Sequence, residues 1–206
     1  MNTHKDHLSR AYGLEKVKDT QDFYSDWAAT YDAEIIENGY ATPLRCAKAL
    51  AGFTPDQDLL ILDIGCGTGL SGQVLAETGF TRIEGCDINP DMLEIAKSRN
   101  VYDNIWLEDV RKPMNFKDGL YDAITAIGCI GIGAAPVDTL YKMLAKLKSG
   151  GMAVFSFNDH TLEDRAYEAA LSNHLDCGAY ELMFKEHGDH LPGKGIKSTV
   201  YVVRRR

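Results

Sequence analysis

The stretch from Leu59 to Gly72, LLILDIGCGTGLSG, constrains the fold of this chain more than any other. An aliphatic run of strand length leads into Asp63, and glycines then stand at every second position, Gly65, Gly67 and Gly69. Glycine reaches backbone dihedrals that a side chain forbids and lets backbone N–H groups approach a ligand closely. A strand that breaks into such a turn and resumes as a helix is therefore a nucleotide-type cradle. The spacing separates the candidates. A dinucleotide fingerprint requires GxGxxG, but the third glycine here falls one position early and Leu70 fills the place that pattern needs. No GxxxxGKS/T run is present, which excludes the phosphate-gripping loop. What remains is an acid at a strand end followed by GxGxG.

The surrounding pattern supplies the rest of the architecture. Asp19 to Glu37 reads as a helix bearing Phe23, Tyr24, Trp27, Tyr31 and Ile35, and Thr42-Pro43 opens a second helix towards Ala51. Beyond Pro55, five apolar runs of strand length, LLILDI, RIEGCDI, NIWLEDV, YDAITAI and MAVFSFN, alternate with helical segments. One such segment, Pro136 to Lys148, carries Val137, Leu140, Leu144 and Leu147 on a single side. A last helix is expected from Leu162 to about Cys177. ELMFKEH, a glycine-rich turn and STVYVV then form a closing pair of strands. Alternation of this kind predicts a parallel, doubly wound sheet. It also predicts a single core over residues 55–206 behind an N-terminal helical cap, residues 1–54.

The heptad Asp63-Ile64-Gly65-Cys66-Gly67-Thr68-Gly69 resembles motif I of the class I S-adenosylmethionine-dependent methyltransferases. The resemblance implies a Rossmann-like α/β fold: a seven-stranded, mostly parallel sheet with an antiparallel last strand and helices on both faces. It implies S-adenosylmethionine (SAM) as cofactor and S-adenosylhomocysteine (SAH) as product. Asp63 would then face the cationic aminoacyl end, with Gly65, Cys66, Gly67 and Gly69 along the ribose and methionyl portion. Three more motifs follow in order. GCDINPDML ends a strand at Asp87, where a carboxylate can accept two hydrogen bonds from a ribose diol. Ile88 and Met92 resemble the apolar neighbours of the adenine. In LEDVRKPM, Asp109 matches the residue that accepts from the adenine amino group, with Val110 beside the ring. YDAITAIGCIGIG matches motif IV, where Ala126 and Ile127 to Cys129 would border the methyl donor and the acceptor. All four motifs fall at the C-terminal ends of strands, the crevice in which open α/β sheets bind ligands. The flanking FYSDWAATYD, KLKSGGMAVFSF and LPGKGIKSTVYVVRR resemble the methyltransferase-like proteins named after the Williams–Beuren syndrome chromosome region.

Methyl transfer needs alignment and exclusion of water, and a base only where the nucleophile keeps its proton. No NPPY-like or PC signature points to amide-nitrogen or cytosine methylation. Tyr31, on the cap helix, is the candidate aromatic to close over the donor, with Tyr24 and Trp27 behind it; the competing reading is that all three staple the helix to the sheet. His160, after the fifth strand, is a candidate base or acceptor contact, against a helix-capping role. Cys129 reads as an apolar filler. His187 and His190 lack a third ligand, so no metal is expected. The formal charge of −8 favours a small-molecule acceptor and no nucleic-acid partner. No membrane partner is expected, and the protein is expected to be a monomer or homodimer. The five cysteines contain no CxxC pair and read as free thiols in the cytoplasm. A protein acceptor, or SAM binding without catalysis, stays open; the glycine spacing disfavours a nicotinamide oxidoreductase.

Overall fold

A computed structural model describes residues 17–114 and 116–206. Seven strands form one sheet: β1 (Leu60–Ile64), β2 (Arg82–Asp87), β3 (Asn104–Leu107), β4 (Tyr121–Ala126), β5 (Leu147–Asn158), β6 (Tyr180–Leu191) and β7 (Ile196–Arg205). Their spatial order is β3-β2-β1-β4-β5-β7-β6, parallel from β3 through β5, with β7 antiparallel to both of its neighbours. The topological switch lies between β1 and β4, so the crevice above β1 is where such a sheet receives a ligand.

Both faces of the sheet are covered. Alternate residues of the central strands serve the two sides, which is why those strands read as continuous apolar runs. On one face Ile61, Ile83, Ala123 and Val154 pack against Cys46, Ala47 and Leu50 of α2 (Thr42–Ala51) and Leu75 of α3 (Leu70–Glu77). On the other, Leu62, Ile124 and Phe155 meet Leu140 and Leu144 of α5 (Asp138–Lys146) and Leu171 of α7 (Arg165–Asp176). Residues 42–51, expected in the cap, are thus part of the main core.

The helix α1 (Val17–Glu37) behaves differently. Trp27 and Ile35 form a small separate cluster with Leu191, joined by Tyr31, Tyr40, Leu70 and Ile196. α1 packs against α4 (Pro90–Ser98), the helix that Asn89 caps. Among the described residues no helix is long and apolar enough to cross a membrane.

The closing hairpin departs from the sequence reading. The glycine at 188 does not turn the chain: β6 runs on through HGDHL to Leu191, and the turn is made by Pro192–Lys194 with Gly195 at φ +67°. The reason lies in the partner strand, since residues 187–189 pair with Thr199, Ser198 and Lys197 of β7. A short helix, α6 (Asp159–Leu162), also precedes α7.

Candidate cofactor and acceptor site

The glycine turn answers the question set by its spacing. Gly65 has φ +65°, and a Cβ there would sit 2.5 Å from the Cβ of Cys129 on the motif IV loop. Gly67 has φ +53° and a Cβ there would meet nothing within 4 Å; it lines an open cleft of about 1130 Å³. The first glycine lets two loops touch, and the second leaves room for a ligand. The backbone N–H of Gly67 donates to Asp87 Oδ2 at 2.9 Å, and that of Asn89 to Asp87 Oδ1 at 2.8 Å. Burial pushes the Asp87 carboxyl above its ordinary range, and these two N–H donors oppose the shift.

The cleft brings together Tyr31, Gly65, Cys66, Gly67, Asp87, Ile88, Met92, Val110 and Ile127 of the residues picked out from the sequence. Asp63, Gly69, Asp109, Ala126 and His160 do not line it. Each has a structural reason. Asp63 is fully buried beneath the turn, where its carboxylate accepts from Ser71 Oγ at 2.5 Å, Tyr102 OH at 2.9 Å and Thr125 Oγ1 at 2.8 Å. Gly69 begins α3, and a Cβ there would press on the Ala96 Cα at 3.2 Å. Asp109 turns to Arg111, which donates to both its oxygens at 2.6 and 2.8 Å and holds its carboxyl below the usual range. The acid that lines the cleft is its neighbour Glu108, which accepts from Trp106 Nε1 at 3.3 Å. Ala126 is buried in the sheet core. His160 is over a third exposed and stands 3.6 Å from Glu163.

A second, smaller cavity adjoins the first. Tyr31, Tyr40, Gly128 and Ala134 border both. The second is also lined by Trp27, Ile35, the loop from Ile130 to Gly133, Asn158, Thr161, His190 and Leu191. Trp27 and Tyr31 meet edge to face at 4.7 Å. The side chains of Phe23 and Tyr24 lie outside the described residues. Sequence reading missed Tyr40 and His190: Tyr40 sits in the turn before α2, and the HGDH run resembled a loop. Its strand alternation was the signal that would have found His190, which is buried where His187 is about half exposed. Among the described residues no group of three His, Cys, Asp or Glu is arranged to hold a metal. Burial pushes the thiols of Cys66 and Cys129 up, so neither is poised as a nucleophile. All five cysteines are unpaired.

Polar contacts of Asp32 and Ser25 fasten α1 over the cleft. Asp32 accepts from Thr68 Oγ1 of the glycine turn at 2.6 Å and is paired with Arg99, which also reaches the Thr68 carbonyl oxygen at 2.5 Å. Asn89 Nδ2 donates to Ser25 Oγ at 3.1 Å. Asp32→Ala is expected to speed SAH dissociation by about fivefold, corresponding to about 1 kcal/mol for a partly exposed charged pair. Stopped-flow fluorescence of Trp27 reads this rate, and an unchanged rate removes Asp32 as the fastening.

Residues 61–151 match the family model of the methyltransferase domain. Human methyltransferase-like protein 27 is 30% identical over 171 residues, spanning 81% of this chain and 68% of the relative. A probable 18S rRNA (guanine-N(7))-methyltransferase of Dictyostelium discoideum is 34% identical over 119 residues. That match spans 56% of this chain but only 41% of the relative. The structure of magnesium protoporphyrin IX methyltransferase from Synechocystis with bound SAH superposes with a TM-score of 0.64 at 18% identity, covering 100% of this chain and 95% of that one. The ribosomal RNA named for the Dictyostelium relative overturns the expectation of no nucleic-acid partner. Net charge sums the whole surface, whereas phosphate is met by local groups and by partner subunits.

Proposed function

Because the chain belongs to the class I SAM-dependent methyltransferases, we propose that its acceptor is a planar ring, methylated by in-line displacement within the smaller cavity. SAM, when bound, supplies a methyl carbon made electrophilic by its sulfonium. The residues present suit such a cofactor. Asp87 offers lone pairs to a ribose diol, and Glu108 offers them to an amino edge at the cleft's end. Ile88, Met92 and Val110 provide apolar cover for a base, and Gly67 leaves the space that a backbone-hugging ligand occupies. Asp63 acts from beneath, joining the turn to α3 through Ser71 and to β4 through Thr125.

One observation carries the acceptor reading: Tyr31 and Tyr40 border both cavities, so a ligand in the second lies against aromatic faces next to the donor. The wall also includes Gly128, where a Cβ would lie 2.4 Å from Tyr40 OH, so the missing side chain is what lets Tyr40 approach the motif IV loop. Cap helix α1 then serves as the lid, with Tyr31 excluding water from the reacting atoms. The rRNA relative makes a purine base the first ring to test.

The experiment is transfer of labelled methyl from SAM to guanine-containing RNA hairpins, to free guanine nucleotides and to hydroquinone-type rings, with the product located by mass spectrometry. Methylation at a ring atom or ring substituent is the expected outcome, and RNA against free nucleotide distinguishes how the ring is presented. Transfer only to aliphatic amines or protein carboxylates overturns the reading.

A further inference from the structure

The most unusual polar group outside the cofactor cleft is His190, at the end of β6. It is 6% exposed, lines the smaller cavity, and stands edge to face with Tyr40 at 5.3 Å. Its ring is tied into a buried chain. His190 Nδ1 lies 2.8 Å from Thr42 Oγ1, and Thr42 Oγ1 lies 2.9 Å from Ser198 Oγ. Arg45 Nη1 donates to Ser198 Oγ at 3.1 Å, and to the Ser198 and Asp189 carbonyl oxygens at 3.1 and 2.9 Å.

The direction of this chain follows from counting hydrogens. A guanidinium only donates, and a hydroxyl has one hydrogen to give. Ser198 Oγ accepts from Arg45, and its own hydrogen finds its acceptor in Thr42. Thr42 accepts that hydrogen and has one to give, which His190 Nδ1 takes. The reverse order strands the hydrogen of one buried hydroxyl, a cost of about 1–3 kcal/mol. With Nδ1 accepting, the neutral ring carries its hydrogen on Nε2. The Cε1 edge lies towards Gly128, whose notional Cβ is 3.9 Å from it, and both His190 and Gly128 line the smaller cavity.

We propose that His190 is a positioning residue: Arg45, Ser198 and Thr42 lock it as an uncharged Nε2–H donor, which selects ring acceptors bearing an oxygen or nitrogen lone pair beside the methylated atom. The role is recognition, since a ring whose Nδ1 lone pair is taken and whose Nε2 holds a hydrogen has no base to offer. The electrostatic surroundings agree. Burial, then the Arg45 charge on α2, depress His190 to about 4, while Asp159 on α6 acts weakly in the opposite sense. Tyr40 and Thr42 are the polar groups against the ring, Ser198 stands behind Thr42, and Asp189 precedes it on β6. The inference rests on the smaller cavity holding the acceptor, but the lock itself is testable without any acceptor.

The test is long-range 1H–15N NMR of histidine-labelled, SAH-loaded protein, with the His190 signals assigned by their loss in His190→Gln. The expected pattern is a neutral Nε2–H tautomer that does not titrate between pH 8 and 5.5. In Thr42→Val the lock is gone, and a share of Nδ1–H tautomer appears. A wild-type Nδ1–H tautomer, or a protonation midpoint near 6.5, overturns the proposal whatever the acceptor screen gives. With a ring that is turned over, His190→Leu is expected to raise KM at least tenfold while moving kcat less, and His190→Gln, which keeps an amide donor, to recover part of the loss. Equal loss in both variants, with the tautomer as expected, overturns the recognition role and leaves the lock structural.

Discussion

Asp87→Ala is expected to weaken SAH binding about 5- to 150-fold, corresponding to about 1–3 kcal/mol of lost charge-assisted hydrogen bonding. Two losses combine in that figure. The carboxylate lines the cleft at the end of β2, where a ribose diol would donate to it. It also receives the backbone N–H of Gly67, so the same side chain fixes the turn against which the ligand lies. Asp87→Asn separates the two, because its amide oxygen still accepts from Gly67 while its charge is gone. An affinity midway between wild type and Asp87→Ala is the expected result by calorimetry. Wild-type affinity in a folded Asp87→Ala protein removes Asp87 from the ribose role. Burial raises the folded pKa of Asp87, so SAH affinity is expected to fall as pH drops through that raised value and the carboxylate takes up a proton.

The sheet was legible because its signals are local. The central strands β1 and β4 are short apolar runs that lead into glycine, and both faces being covered keeps the runs unbroken. The glycine turn was legible too, since backbone constraint writes itself directly into residue type. What the sequence hid were directions of side chains. Glu108 and Asp109 are adjacent acids at the end of a strand, and their order gives no hint that Arg111, two residues on, draws Asp109 away and leaves Glu108 in the cleft. His160 and His190 invert in the same way. The one that follows a core strand stays at the rim, and the one in a glycine-containing run is drawn inward by pairing of β6 with β7, a contact set by residues far along the chain. Asp63 was found by its motif, but its burial depends on Tyr102 and Thr125, and nothing in the heptad foretells them.

That burial makes Asp63 the source of a large expected pH effect on stability. Its carboxyl is pushed up from 3.8 to about 6, mainly by desolvation, against the pull of Ser71, Thr125 and Tyr102. A folded pKa above the unfolded one means that the folded state holds the proton more tightly. The contribution is therefore complete below about pH 3.8, where both states are protonated, and is lost as pH rises through about 6. Above that, the fold carries a buried carboxylate whose desolvation three hydroxyl donors only partly offset. The difference amounts to roughly 3 kcal/mol across the interval. Asp63→Asn removes the titration while keeping the shape, and the Ser71 and Tyr102 hydroxyls can rotate to accept from its amide. Urea unfolding of both proteins from pH 4.5 to 7.5 should therefore give curves that converge or cross, with the wild type losing ground to the variant as pH rises. Parallel curves would show that Asp63 titrates alike in the folded and unfolded chain, and the carboxylate would then be solvated in a way that its place beneath the glycine turn does not allow.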